Sequence, residues 1–453
     1  MLTTDWLNSR PVFLNRARGI YSVDANEVIS KKDNIDIHLE GLSYFLRYGF
    51  SAFGLTPIAD VNFLEPNMSV TSVNNDLSIN KKSDPFFLSN KILLSEGDIF
   101  EKIVEDVNRW VDNLNNNETV ILPLSGGLDS RLLLWSIRDK ERVKCFTYGI
   151  SRNQSRSYEV QYAKYLCEKH NVRWEHIELL EYNKYIHEWC EIFGPVVHAH
   201  GMYHFELYKK ICSSVPGPKA LLSGIFGDVF AGSVPKIDIS SVSDVDRLQY
   251  THGINFSGNP LYRSVPLEAR LLWFKRYKKE LKHWGFQNLS TIRSKMMLIR
   301  YLLHLPQHFG MTTYSPFIDE QIGISMLLLD ENRRQNRVWQ QEFIQKTEFE
   351  IPPKKKLICS YRNTLDLDNA LKAEFEPIVE CSSLNFLNDH EKKDIVGFAS
   401  IGRIKKLYAW FCSIPKIQGL LSKLGFQSNF LMQYYKYLIW VPIHIAFQKK
   451  GEK

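Results

Sequence analysis

The hexapeptide Ser125-Gly126-Gly127-Leu128-Asp129-Ser130, directly behind the apolar run Val120–Leu124, constrains this chain more than any other feature. The order reads as a buried strand delivering a tight turn into a helix, whose start the sequence places at Arg131–Ile137. Paired glycines let backbone N–H groups approach a ligand, and the helix N-terminus adds the positive end of its dipole. Ser125 and Ser130 add hydroxyl donors. Such a turn suits a pyrophosphate, and Asp129 offers a hard oxygen ligand for the magnesium that accompanies one. A plain turn capped by Asp129 or Ser130 needs none of the surrounding order.

The rest of the chain alternates in the same sense. Ile99–Leu114 repeats apolar residues at helical spacing, and strands are expected at Val120–Leu124, Val143–Tyr148, Trp174–Leu179 and Ala220–Leu222, with a helix at Tyr158–Lys169. This pattern predicts an α/β fold with a doubly wound parallel sheet. Ligands of such sheets lie beyond the carboxyl ends of the strands, where Ser125–Ser130, Tyr148-Gly149 and Ser223-Gly224 would meet. Residues 1–37 give weak signals, Tyr44–Gly49 reads as a short helix, Ile58–Pro66 as a strand and turn, and 71–95 as loops between short strands. Phosphate-loop and dinucleotide glycine fingerprints are missing from the sequence.

At 453 residues the chain has room for two or three cores. Its seven cysteines are scattered without a Cys-x-x-Cys, which excludes a zinc ribbon and suits a reducing compartment. The first residues show no leader pattern and no segment has the length of a membrane span, so a cytoplasmic protein is expected. The net charge of +7 sits in the tail: from Ile395 to Lys453 there are nine Lys/Arg and one acid, Glu452. There the lysines interleave with Tyr408, Trp410, Phe411, Phe430, Tyr434, Tyr435, Tyr437 and Trp440, and Pro442 is expected to interrupt any helix. Two readings stay open: a peripheral contact with the inner face of a membrane, or core aromatics of a terminal helical subdomain. No recognition motif supports nucleic acid.

Four segments, in this order, resemble the asparagine synthetase family, specifically its ATP-pyrophosphatase synthetase domain: Tyr44–Gly49, Ser125–Ser130, Ser223-Gly224-Ile225-Phe226-Gly227-Asp228 and Ser315-Pro316-Phe317-Ile318-Asp319. The second is common to pyrophosphate-loop enzymes; the third and fourth narrow the resemblance to this family. It implies a truncated glutaminase-like region at 1–95, an ATP-binding domain at 96–365 and a helical basic region at 366–453. Departures matter. Glutamine-hydrolysing members use an N-terminal cysteine, whereas the first cysteine here is Cys145, so ammonia is expected from a separate glutaminase or from an amine. Ile225 stands where the family often carries Glu, and Arg131 replaces a second serine.

The resemblance implies that a carboxylate attacks the α-phosphate of ATP, that pyrophosphate leaves, and that ammonia or an amine then displaces AMP. By similarity Ser125, Gly126, Gly127, Leu128, Asp129 and Ser130 hold the pyrophosphate end, while Leu124, Tyr148, Ser223 and Gly224 line adenine and ribose. Asp129 and Asp228 are the implied Mg2+ ligands, although Asp228 would also serve as a helix cap. A lysine after Asp319 steadies the adenylation step in the family, which points to Lys355 or Lys356, beside Lys354. Glu159 occupies a place where the family puts an acid near the nucleotide, and a helix-dipole role explains it equally well. His198, His200 and His204 are spaced for a transition metal, but no acid or cysteine completes a set, so pocket hydrogen bonding is expected.

The expected activity is an ATP-dependent amide-forming ligase acting on a small carboxylate, with a sugar acid or similar intermediate ranked ahead of asparagine synthesis or intramolecular cyclisation of the lasso-peptide or β-lactam type. Sulfur transfer to tRNA lacks its cysteines. A degenerate nucleotide-binding protein is opposed by the intact Asp129 and Asp228.

Overall fold

A computed structural model describes the chain except for residues 30–34, 90, 250–253, 257, 259, 353–357, 380–381, 415–416, 418–427 and 449–453. Its centre is a five-stranded sheet in the spatial order Thr312–Tyr314, Lys219–Leu222, Thr119–Pro123, Val143–Thr147, Arg173–His176, every pairing parallel. Alternate side chains serve two hydrophobic clusters: Ile121, Phe146 and Leu221 face one, and Val120, Leu122, Val143, Cys145 and Leu222 the other. Burial on both faces explains why the central strand reads as an unbroken apolar run. The α/β parallel sheet is as expected; its three-residue edge strand, Thr312–Tyr314, carried no sequence signal.

Local chemistry sets the helices that cover the sheet. Glu96–Asp112 starts at a Ser95/Asp98 capping box and turns Ile99, Ile103 and Val107 inward. The helix behind the glycine turn runs Leu128–Ser136, one turn earlier than expected, so Asp129 and Ser130 lie in its first turn. Residues 71–95 hold loops and short strands, as expected. Met68–Val73 and Asp76–Lys81 form a hairpin whose turn residues, Asn74 and Asn75, have φ of +50° and +65°. Asparagine tolerates the left-handed region that a two-residue hairpin turn demands.

The segments at 1–95 and 366–453 share a core with the centre: Leu42, Phe45, Trp189, Tyr208, Tyr437 and Trp440 belong to one cluster. The helix Phe430–Gln448 continues through Pro442, contrary to expectation. An interior proline costs about 3 kcal/mol, and burial of Leu438, Ile439, Trp440 and Ile443 outweighs that. Its aromatics are therefore core. Lys436 is buried too, with Nζ 2.6 Å from both Glu391 and Asp394. Among the described residues no helix is long and apolar enough to cross a membrane.

Candidate active site

The chain builds its sheet outward from Thr119–Pro123 through Val143–Thr147 to Arg173–His176, then returns to the opposite side for Lys219–Leu222 and Thr312–Tyr314. That reversal opens a crevice between the carboxyl ends of Thr119–Pro123 and Lys219–Leu222. The Ser125–Ser130 and Ser223–Asp228 turns leave from those two strands.

Gly126 has φ +73°, and an added Cβ would stand 2.6 Å from Tyr162 Cβ, so the turn admits glycine. Gly127 N-caps the following helix with no side-chain cap, which leaves first-turn N–H groups to a ligand. Ser130 Oγ donates to the Gly127 carbonyl at 3.1 Å. Leu124 is buried beneath the turn, and its carbonyl accepts from Thr147 Oγ1.

The second acidic turn closes on the first. A Cβ on Gly227 would sit 2.8 Å from Asp129 Oδ1, and one on Gly224 3.3 Å from Asp129 Cβ. Ser223 is pinned through its N–H to the Tyr314 carbonyl at 2.8 Å, and Ser315 Oγ donates to the Ile225 carbonyl at 3.3 Å, tying the third signature to the fourth. Asp129 Oδ1 accepts from Arg337 Nη2 and from Gln340 Nε2. Burial pushes the Asp129 carboxyl up, Arg337 pulls it down and Asp228 adds repulsion, leaving it at about 6. Asp228 is exposed and is not a cap, since Phe226 holds that position; it accepts a long 3.5 Å bond from Ser233 Oγ. Lys295 is buried nearby, its ammonium lowered to about 8 by burial against the pull of Asp228. Two carboxylates repelling beside an uncapped helix N-terminus fit a divalent cation carrying a pyrophosphate.

Tyr148, at the next strand end, packs on Tyr203 and His204. His204 is pushed down to about 3 by burial and then by His200, so it stays neutral. The three histidines do not converge. His198 Nδ1 accepts the His200 N–H at 3.2 Å, and His200 Nε2 pairs with Asp366 at 2.9 Å. Among the described residues the one cluster with metal-ligand convergence is His390, Glu391 and Asp394, where the Lys436 ammonium already sits between the acids. Glu159 is buried, its carboxyl raised by burial, with Oε2 lacking a hydrogen-bond partner.

Lys354, Lys355 and Lys356 lie outside the described residues. The chain on either side is fixed close to the loop helices, where Arg131 Nη1 donates to the Phe349 carbonyl and Ser360 bridges Ser157. Arg337, Gln340 and Lys295 were not legible as site residues. Arg337 follows Asn336, both at positive φ (+62° and +55°), and no spacing rule connects either to Asp129. Lys295 lies in a helix beside Met296 and Met297 with nothing local to mark it.

Fold, switch point and paired acids make this crevice a candidate nucleotide site. Residues 111–315 match the protein family described as asparagine synthase. This segment holds all five sheet strands and both acidic turns. Among solved structures, an NH3-dependent NAD synthetase from Campylobacter jejuni, in complex with nitrate ion, aligns with 57% of this chain and 99% of its own at 14% identity and TM-score 0.24. A glutamine-dependent NAD+ synthetase from Acinetobacter baumannii, in complex with adenosine diphosphate, aligns with 71% of this chain and 63% of its own at 13% identity and TM-score 0.23. Likeness at that level carries no weight here. No curated protein matches.

Proposed function

We propose that this protein is an ATP-dependent amide-forming ligase that adenylates a carboxylate, releases pyrophosphate and transfers ammonia or an amine to the acyl group. The observation that carries this reading is the closure of the Ser223–Asp228 turn on Asp129, beside a helix N-terminus that no side chain caps. A carboxylate cannot expel oxide at neutral pH, so activation must make a better leaving group. Charge neutralisation where pyrophosphate departs is the main catalytic demand. The first-turn N–H groups, Ser125, Ser130 and the Arg337 guanidinium supply donors there, and Leu124, Tyr148, Ser223 and Gly224 flank the nucleoside side. Magnesium, held by Asp129 and Asp228, would neutralise the phosphate charge.

For the acid, Ile225 is buried and offers no carboxylate to hold a substrate ammonium, which weighs against an amino acid. The neutral His204 next to Tyr148 and Tyr203 suits hydroxyl groups, which favours a sugar acid or another polar intermediate. Cys145 is buried within its strand, so the nitrogen is proposed to come from ammonia, a substrate amine or a separate glutaminase.

ATP–pyrophosphate exchange over a panel of carboxylic acids tests the proposal. Exchange should depend on one class of acid and vanish in Asp129→Ala with the fold retained. Exchange in that variant above a few per cent of wild type, or none with any acid in the wild type, would overturn the reading.

A further inference from the structure

The apolar stripe of the helix Arg403–Cys412 faces water. Ile404, Leu407, Tyr408 and Phe411 recur at i, i+3, i+4 and i+7, the spacing that marks a core-facing side on an amphipathic helix. Here they are 85%, 64%, 40% and 44% exposed, while Ala409, at 2%, is the residue turned to the protein. The helix packs beside Leu365–Lys372 and Phe430–Gln448. Exposed apolar residues are ordinary singly, but four adjoining on one face mark an interaction surface.

Charge indicates what covers it. Arg403, Lys405 and Lys406 accompany the stripe, and no Asp or Glu occurs from Ile395 to Gly451. Lys406 Nζ donates to the Ala373 carbonyl at 2.7 Å, which holds that charge on the protein side of the helix and leaves Arg403 and Lys405 flanking the exposed face. A second copy docked through the same face would set these cations against their equivalents, which repel. An anionic bilayer meets both demands. The aliphatic side chains and Phe411 enter the acyl boundary, Tyr408 and Trp410 suit headgroup depth, and the cations meet lipid phosphates.

We propose that Ile404, Leu407, Tyr408 and Phe411 seat this protein on an anionic bilayer surface as an interfacial helix that does not span. The inference stands apart from the ligase reading, because it needs neither nucleotide nor Asp129.

Full-length protein is floated with phosphatidylcholine vesicles, with and without about 30 mol% phosphatidylglycerol, at about 0.1 M salt, where screening acts over roughly 10 Å. It should rise with the anionic vesicles, stay behind with the neutral ones, and be released at about 1 M salt. The double substitution Ile404→Glu, Leu407→Glu should weaken binding at least about tenfold with Tm unchanged, since both side chains already face water. Arg403→Glu, Lys405→Glu should weaken it on anionic vesicles as well, and provides the same test if the first variant folds poorly. Absence of wild-type flotation, or equal flotation of both variants, overturns the proposal. So does a dimer in sedimentation that Ile404→Glu, Leu407→Glu dissociates without any vesicle binding, since the face is then a protein contact.

Discussion

Gly126 and Arg337 both hold left-handed backbone, for different reasons. At Gly126 the turn requires it, and Gly126→Ala adds a Cβ 2.6 Å from Tyr162 Cβ. Strain and overpacking together should cost about 2–4 kcal/mol, read by chemical denaturation. At Arg337 a side chain tolerates the strain while its guanidinium reaches Asp129. Asp228 is the sharper test. Because it is exposed and weakly bonded, Asp228→Asn should leave stability within about 0.5 kcal/mol and lower ATP–pyrophosphate exchange roughly a hundredfold. A Tm loss with exchange preserved would make Asp228 structural. The acidic turns were legible because their chemistry is contiguous: strand, glycines and acid follow one another in the chain. Arg337 was not, since its role depends on meeting Asp129 across 208 residues of sequence.

Among the elements, the central strands and the helix Tyr158–Lys169 were readable because burial and period fix them locally. The Asn74–Asn75 hairpin and the helix through Pro442 were not, since turn geometry in one and tertiary burial in the other override simple propensity. The helix Leu365–Lys372 is tied to the centre by Asp366, which accepts from Tyr182 and Tyr435 hydroxyls at 2.8 Å and pairs with His200 at 2.9 Å. Burial alone would raise the Asp366 carboxyl, yet His200 and the two hydroxyls hold it at about 2. Burial likewise opposes the His200 imidazolium, and Asp366 raises it above its ordinary value. The depressed acid stabilises the fold fully above its unfolded value, about 3.9, and that contribution fades as pH falls towards 2. The raised histidine contributes fully below about 6.5, and its contribution is lost as pH rises through its folded value. The pair's own contribution, read as the difference in stability between wild type and Asp366→Asn, should therefore hold a plateau from about pH 4 to 6.5 and decline on both sides. On the plateau that difference should be roughly 2 kcal/mol in urea titrations. A difference that does not change with pH would remove the pair from the account.

Over the whole molecule, the basic tail divides in two. One helix shows its apolar side to water, while Phe430–Gln448 completes the core that begins in the first 50 residues. Tyr434 donates to Asn183 at 2.6 Å, which stitches that helix to the central domain by a hydrogen bond as well as by packing, and Tyr437 donates to the Glu376 carbonyl at 3.0 Å within the tail. Tyr434, Leu438, Ile439, Trp440 and Ile443 are fully buried. At about 1.5–3 kcal/mol per large side chain, their loss amounts to something on the order of 10 kcal/mol, comparable to the roughly 5–15 kcal/mol that holds a typical protein folded. A chain ending at Ser400 should therefore lose its cooperative transition, bind a hydrophobic dye and precipitate, whether or not vesicles are present. Near-ultraviolet circular dichroism and thermal melting of the shortened chain measure this directly. A transition within a few degrees of the full-length Tm would mean that the centre folds without this helix and that the shared cluster is a docked surface, not a core.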